Sequence, residues 1–500
     1  MVQLNDHQEA IEEANTSVEQ SLMKTSDDPH RLVYHASPQV FWMNDPNGLI
    51  YFRGEYHLFY QHNPYAPQWG NIHWGHMKSK DLVHWEHLPI ALAPSESYDL
   101  KGCYSGCAIK HEERIYLIYT SKQTISSDDQ VASLQQQCIA VSEDGVHFNK
   151  LPQNPIIPSP PDVIGQNDHF RDPKVWKYQD TWYMVIGTKK NERGKIIVYQ
   201  SQDLIHWDFS NVLTESDGTM GHMYECPDLF HLNGVDVLIL SPEGAVEAGG
   251  AMLSGYYIGE FDYGTGHYEH GNFNKLDYGF NFYAPQTMED AHGRRILFGW
   301  MPMDGIALNK SWAGCMTIPR ELRWIGNQLK IQPVEEMKLL RRNHLAIDKY
   351  EVTDDKLHKI EGIKGDCVEL IVMYDLRGTS AREFGLCVRI SEEGDEKTVI
   401  KYNKETKELQ IDRTDSGRGD KGVKSCHIEM NNEHILTLHL FLDRSTLELF
   451  INQGNYVMSG FIFPSPYSQD IIFFSMDGTA LIQSIDFWML DSFSATAGVM

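Results

Sequence analysis

The chain has 500 residues, 41% of them apolar and 11% aromatic, enough to bury cores in two or three domains. A net charge of −26 argues against nucleic acid or an anionic membrane surface as the main partner, because both reward dense positive charge. No run of about eighteen apolar residues occurs, so no segment is expected to span a membrane.

In chain order, Asp6 to Lys24 is acidic, with Ile11, Ala14, Val18 and Leu22 near helical spacing. That predicts a short helix packed on the body, within an N-terminal extension over residues 1–30. A basic stretch followed by an apolar one is missing from this region, so the cytoplasm is the expected compartment. The eight cysteines (103, 107, 138, 226, 315, 367, 387 and 426) are scattered and are expected as thiols. Cys103 and Cys107 have no Cys or His partners at metal spacing, and neither a metal nor a cofactor is expected.

The stretch Phe41-Trp42-Met43-Asn44-Asp45-Pro46-Asn47-Gly48 places a carboxylate, two amides and a tryptophan before a strand-like run. Asp45 precedes Pro46, so its backbone is pushed toward extended geometry. Asn44 and Asn47 can exchange hydrogen bonds with hydroxyls, and Trp42 offers an apolar face to a sugar ring. Asp-Pro-Asn-Gly is also ordinary turn chemistry.

Two repeats decide between these readings. Ser79 to Trp85, Ser142 to Phe148 and Ser201 to Trp207 share a Ser-x-Asp-x-x-His-aromatic pattern about sixty residues apart. Between them, Asp45-Pro46, Asp172-Pro173, Cys226-Pro227 and Ala284-Pro285 each open an apolar run that is followed by a turn and a second run. Cys103 to Thr120, lacking the proline, fills the long gap. Five strand-turn-strand units over roughly 34–320 predict a five-bladed β-propeller, taken as residues 31–332. A linker helix is expected over 333–350, around Val334 to Arg342. Strands at Cys367 to Leu376, Phe384 to Ile390, Ile435 to Leu442, Thr446 to Ile451, Ile471 to Ser475 and Leu481 to Met489 then predict an all-β sandwich over 351–500.

Blades converging on one axis would make neighbours of Asp45, Asp172 and Glu225. Glycoside cleavage needs such a set, with one carboxylate to attack or to activate water and one carboxylic acid to protonate the leaving oxygen. Three adjacent acids cannot all ionise cheaply, so at least one should keep its proton near neutral pH, with Arg171 offsetting part of the repulsion. Clustered carboxylates also bind calcium or magnesium. Against a metal, no dense acidic loop surrounds these positions, and the neighbours are aromatic: Trp42, Trp69, Tyr104, Trp182, Tyr283 and Trp300.

The sequence resembles glycoside hydrolase family 32, the invertase, sucrose-6-phosphate hydrolase and fructanase group, over nearly the whole chain after about residue 30. The resemblance is carried by Trp42 to Gly48, Gln61, Trp69 to His76, Tyr104-Ser105-Gly106, Arg171-Asp172-Pro173, Glu225-Cys226-Pro227-Asp228 and Asp443 to Glu448. It implies a five-bladed propeller plus β-sandwich and retaining hydrolysis of terminal β-D-fructofuranosides such as sucrose or sucrose 6-phosphate. A fructan exo-hydrolase or transfructosylase is the alternative. By the same resemblance Asp45 is the nucleophile, Glu225 the acid/base and Asp172 the transition-state stabiliser, while Asn44, Gln61, Trp69, Ser105 and Arg171 line the fructose pocket. Trp42, Tyr104, Tyr283 and Trp300 complete the candidate sugar-binding set.

Two departures stand out. Tyr104 and Cys107 replace a phenylalanine and a serine, keeping the size, and Asn281 stands where aspartate is frequent, which bears on local pKa tuning. Asp443 and Glu448 read as structural despite their charge. The sandwich is expected to pack against the propeller and is a candidate surface for homodimer contacts. A phosphorylated substrate would need a local basic pocket, which the sequence does not locate.

Overall fold

The computed structural model describes residues 6–22, 28–127, 130–246, 249, 252–303, 311–429 and 434–491. Helix α1, Asp6–Leu22, buries His7, Ala14 and Val18 and lies along the strand Trp85–Leu92, where Asn15 accepts the Ile90 amide at 3.0 Å. Met23 and Lys24, expected to continue the helix, lie outside the described residues, as do residues 1–5 and 492–500 of the expected terminal regions.

Five antiparallel sheets follow, and their first strands are β1 (Phe41–Phe52), β2 (Cys103–His111), β3 (Phe170–Tyr178), β4 (Met223–Leu232) and β5 (Tyr283–Glu289). These strands neighbour one another in cyclic order, β5 lying beside β1, and the short strand Trp312–Ala313 pairs in parallel with the start of β1. The fifth sheet runs on through Arg320–Ile325 and Gln328–Pro333, past the Arg320 limit read from the repeat.

The two sequence repeats have separate structural causes. In the Ser-x-Asp-x-x-His copies, Asp81, Asp144 and Asp203 each accept two backbone N–H groups and the following histidine ring. Leu82, Gly145 and Leu204 take positive φ at the same register. This repeat closes turns at the outer side of three sheets and contributes nothing to the cavity. The Xaa-Pro repeat marks a register break in each first strand: Met43/Pro46, Glu225/Asp228 and Tyr283/Gln286, with an equivalent break opposite Asp172 and another at Tyr104/Gly106. A bulge turns a side chain away from the alternation of a regular strand. Here one bulge recurs at the same height in every sheet around the ring.

The expected linker helix over 333–350 is a correction. Only Glu335–Leu340 is helical, as a 3-10 turn, and Arg341–Val352 is already a sandwich strand. Its alternating exposed residues Asn343 to Lys349 are those of an edge strand with one face in water. Two six-stranded sheets form the sandwich around a second apolar core. All six strands read from the sequence are present; those at Arg341–Val352, His358–Lys364, Thr398–Asn403, Glu408–Asp412, Val423–His427 and Tyr456–Phe461 are additional.

A buried polar cluster joins sandwich to propeller. Asp443 accepts the amides of Val33, Tyr34 and His35 at 2.7 to 3.1 Å, and His35 bridges Asp443 and Glu448 at 2.8 Å each. Glu448 also accepts the Ile318 amide and the Arg320 guanidinium, which reaches Asp277 as well. Burial alone would lower the His35 pKa, but its two carboxylate partners raise it to about 9, and Arg320 and His35 hold Glu448 below its usual range. The His35 contribution to stability is therefore complete below about pH 6.5 and lost as pH rises through about 9; that of Glu448 is present above the normal glutamate range and lost in acid. Glu448→Gln is expected to destabilise the protein by about 3–5 kcal/mol, because it removes the carboxylate shared by buried Arg320 and His35 and leaves each with one counter-charge, Asp277 and Asp443. Urea unfolding of the two proteins at pH 6 measures this, and an unchanged midpoint would contradict it.

Candidate active site

The five bulges face one cavity of about 520 Å³. Asp45, Asp172 and Glu225 all line it, together with Trp42, Asn44, Gln61, Trp69, Tyr104, Arg171, Tyr283 and Trp300. Ser105 lies beneath the surface and donates to Asp45 Oδ2 at 2.6 Å. Trp182, named among the neighbouring aromatics, sits instead in a core between sheets, packed edge-on against His111.

Asp45 is held as an acceptor. Besides Ser105, Asn44 Nδ2 donates to its Oδ1 at 3.0 Å and Gln61 Nε2 approaches its Oδ2 at 3.4 Å. Asn44 is oriented in turn by Trp42 Nε1, donating at 2.5 Å, while its own amide donates to Gln61 Oε1 at 2.9 Å. Burial raises the Asp45 pKa, the donors from Ser105 and Asn44 oppose that, and Glu225 adds to it. The chain Trp42, Asn44, Gln61, Ser105 thus fixes one carboxylate rotamer with few degrees of freedom left.

Asp172 is almost completely buried, and its backbone takes φ +66°, as Cys226 and Ala284 do at +48° and +47°. All three precede proline, where extended geometry is the usual preference, and none of them adopts it. A non-glycine residue in this region costs about 1–3 kcal/mol, and the surrounding bonds hold it: the Asp172 amide donates to Thr120 Oγ1 and the Cys226 amide donates to Asp172 Oδ2, each at 3.0 Å. Cys226 Sγ lies 3.6 Å from Asp45 Oδ2 and 3.7 Å from Asp172 Oδ2, so the two carboxylates flank a single thiol. Burial pushes Asp172 up to about 7; Arg171 opposes this, and Glu225 and Asp45 add to it.

Glu225 accepts Arg171 Nε at 3.1 Å and a second guanidinium nitrogen at 2.8 Å through one oxygen, and the Tyr283 hydroxyl through the other. Arg171 also reaches Glu243 at 3.3 Å and the His169 ring at 3.1 Å. Burial and Arg171 hold the His169 pKa at about 4, leaving a neutral ring. Of the three acids, Asp172 is thus the one whose carboxyl burial pushes up to neutral pH.

Trp300 Nε1 is buried without a partner among the described residues, and Gly314, at φ +82°, passes so close that a Cβ would stand 2.7 Å from that nitrogen. Asn281 is not in the cavity. Its oxygen accepts from Arg413 and the Phe461 amide of the sandwich, so it ties the two domains and does not tune the acids. Sequence reading missed Lys122, Ser133, Gln135, Asp168, His169 and Glu243, which also line the cavity. His169 is two residues from Arg171 and could have been suspected; the others carry no motif.

This cavity, with its three acids, aromatic walls and amide network on a ring of β-sheets, has the composition of a glycosidase site. The family model for the glycosyl hydrolases family 32 N-terminal domain matches residues 35–333, and the one for the family 32 C-terminal domain matches 336–489. Sucrose-6-phosphate hydrolases from Zymomonas mobilis and Bacillus subtilis are each 38% identical, covering 93% of this chain and 93% and 95% of theirs. Among solved structures, the GH32 β-fructofuranosidase BmSUC1 of Bombyx mori superposes with a TM-score of 0.83 at 34% identity, covering 97% of this chain and 99% of that one. The sucrose-6-phosphate hydrolase of Lactobacillus gasseri also gives 0.83, at 28% identity and with 96% and 97% coverage.

The chain belongs to glycoside hydrolase family 32. Its all-β architecture is the propeller followed by a β-sandwich of that family, and it is a glycoside hydrolase.

Proposed function

We propose that this enzyme cleaves terminal, non-reducing β-D-fructofuranosides with retention, sucrose or its 6-phosphate being the substrate, and that Asp45, Glu225 and Asp172 carry the reaction. The observation that carries the reading is the convergence of these three acids in one cavity, each with a different hydrogen-bonding environment. The five sheets, whose first strands follow one another in a ring, are read as the five blades of the propeller. The family-model matches at 35–333 and 336–489 support a catalytic propeller domain followed by the sandwich.

Asp45, held by donors on both oxygens, attacks the anomeric carbon of the fructosyl ring while Glu225 protonates the departing oxygen. Water then enters, Glu225 takes its proton, and the fructosyl–Asp45 ester is hydrolysed. The ring carries oxocarbenium-like charge in both transition states, which anionic Asp172 stabilises. Fructosyl hydroxyls donating to Asp172 favour its anion, and the proton it releases is then available to Glu225. Trp42 and Trp300 provide the apolar wall.

The test is product analysis by NMR with sucrose in the presence of methanol. Glucose, fructose and methyl β-D-fructofuranoside are expected, the β configuration reporting two inversions. An α-glycoside, or no release of fructose from sucrose or sucrose 6-phosphate, would contradict the reading.

A further inference from the structure

The second sheet sends a hairpin, Arg114–Ser127 with Gln130–Ser142, beyond the length of the other strands of the five sheets. Thr120, at its base, accepts the Asp172 amide. Lys122 is two residues further on the same face, about 7 Å outward at the usual rise of a strand. Solvent exposure begins there: Thr120 and Ser121 are wholly buried and Lys122 half-buried. Its ammonium lies 5.0 Å from the Tyr104 ring centroid and 5.9 Å from that of Trp69. On the reading of the reaction given above, this side of the cavity is the one left for the departing sugar.

The charges around the cavity are unequal in their pairing. Arg171 serves Glu225 and Glu243, while Glu243 and Asp168 each also face a histidine ring at 3.7 Å, His222 and the neutral His169. Lys122 has no carboxylate partner among the described residues. Nearby, Ser133 Oγ is buried on the same cavity wall and has no hydrogen-bond partner among the described residues. An ammonium partly removed from water and without a counter-ion is costly, and a second unused donor beside it calls for an acceptor. A neutral glucosyl hydroxyl would satisfy the hydrogen bonds but not the charge. An anionic group on the departing sugar satisfies both, and in a protein of net charge −26 it requires a local cation to be held at all.

We propose that Lys122, assisted by Ser133, is the specificity residue for a phosphate on the leaving-group sugar, so that the preferred substrate is a phosphorylated fructosyl glucoside. This rests on the reading of the reaction given above and selects between the two substrates left open there.

The experiment compares kcat/KM for sucrose 6-phosphate and for sucrose in the wild type, Lys122→Met and Lys122→Arg. The wild-type ratio is expected above one; Lys122→Met should lower it by about ten- to a hundredfold, the range of a hydrogen bond to a charged group, and Lys122→Arg should recover most of it. Circular dichroism melting checks that the variants fold, and Ser133→Ala supplies an independent variant expected to move the ratio the same way. A wild-type ratio of one or less, or a ratio that Lys122→Met and Ser133→Ala leave unchanged, overturns the assignment. A wild type that releases fructose from neither substrate overturns the underlying reading and this one with it, a distinct outcome from cleavage of both without preference.

Discussion

Asp45→Ala is expected to lower kcat on sucrose by about four to six orders of magnitude, the range found when a covalent nucleophile is removed. The cause is chemical, because the remaining acids cannot replace the attack. Asp172 is held in place by its bond from Cys226, and Glu225 is committed to Arg171 and Tyr283. The fold should survive: the substitution removes a buried carboxyl, and Ser105, Gln61 and Asn44 still satisfy one another, since Asn44 donates to Gln61 and Gln61 to Ser105. Fructose release per enzyme, with a melting curve alongside, measures it. Activity within tenfold of wild type would remove Asp45 from the mechanism.

Glu225→Gln carries the second largest effect, a loss of about two to four orders of magnitude in kcat, the usual worth of general acid–base catalysis. The amide cannot give a proton, so the loss should shrink for a fructoside whose leaving group is a much stronger acid than a sugar hydroxyl. The pH profile offers a separate reading. On the proposed mechanism the active form of the cluster has one proton, and burial pushes Asp172 up to about 7 in the free enzyme. Above that pH the proton is lost and kcat/KM of the wild type should fall. At lower pH a second proton reaches Asp45, whose pKa burial raises above the normal aspartate range, and the rate should fall again. The profile is thus a bell with its basic limb near 7, and Glu225→Gln should abolish that limb. A wild-type profile flat to pH 9 would contradict the shared-proton account.

The three acids could be read from sequence because each sits in a short local pattern, Asn-Asp-Pro, Arg-Asp-Pro or Glu-Cys-Pro, that repetition makes visible. The pattern also marks the bulges, since proline cannot donate in a ladder. What the pattern did not convey is the conformation, because a preference for extended geometry before proline is a local tendency, and at Asp172 the bonds to Thr120 and Cys226 outweigh it. The Ser-x-Asp-x-x-His repeat was equally visible and has nothing to do with the cavity. It recurs because three sheets solve the same outer turn in the same way.

Asn281 illustrates the opposite case. Its neighbourhood in sequence suggested the active site, yet its partners, Arg413 and Phe461, are more than a hundred residues away and belong to the sandwich. Asp443 and Glu448 read as structural in the sequence, and it is the fold that supplies their partners, His35 and Arg320, from the far side of the domain boundary.

By itself the sequence determined the all-β class, the repeating unit and the three acids that share the cavity, because strand alternation, proline positions and short motifs are local properties of the chain. Only the tertiary structure decided which acid burial pushes toward neutral pH, that Arg171 is shared between Glu225 and Glu243, and that Lys122 has no carboxylate partner among the described residues. Those depend on burial and on charges brought together from different sheets, and neither quantity exists until the ring of strands has closed.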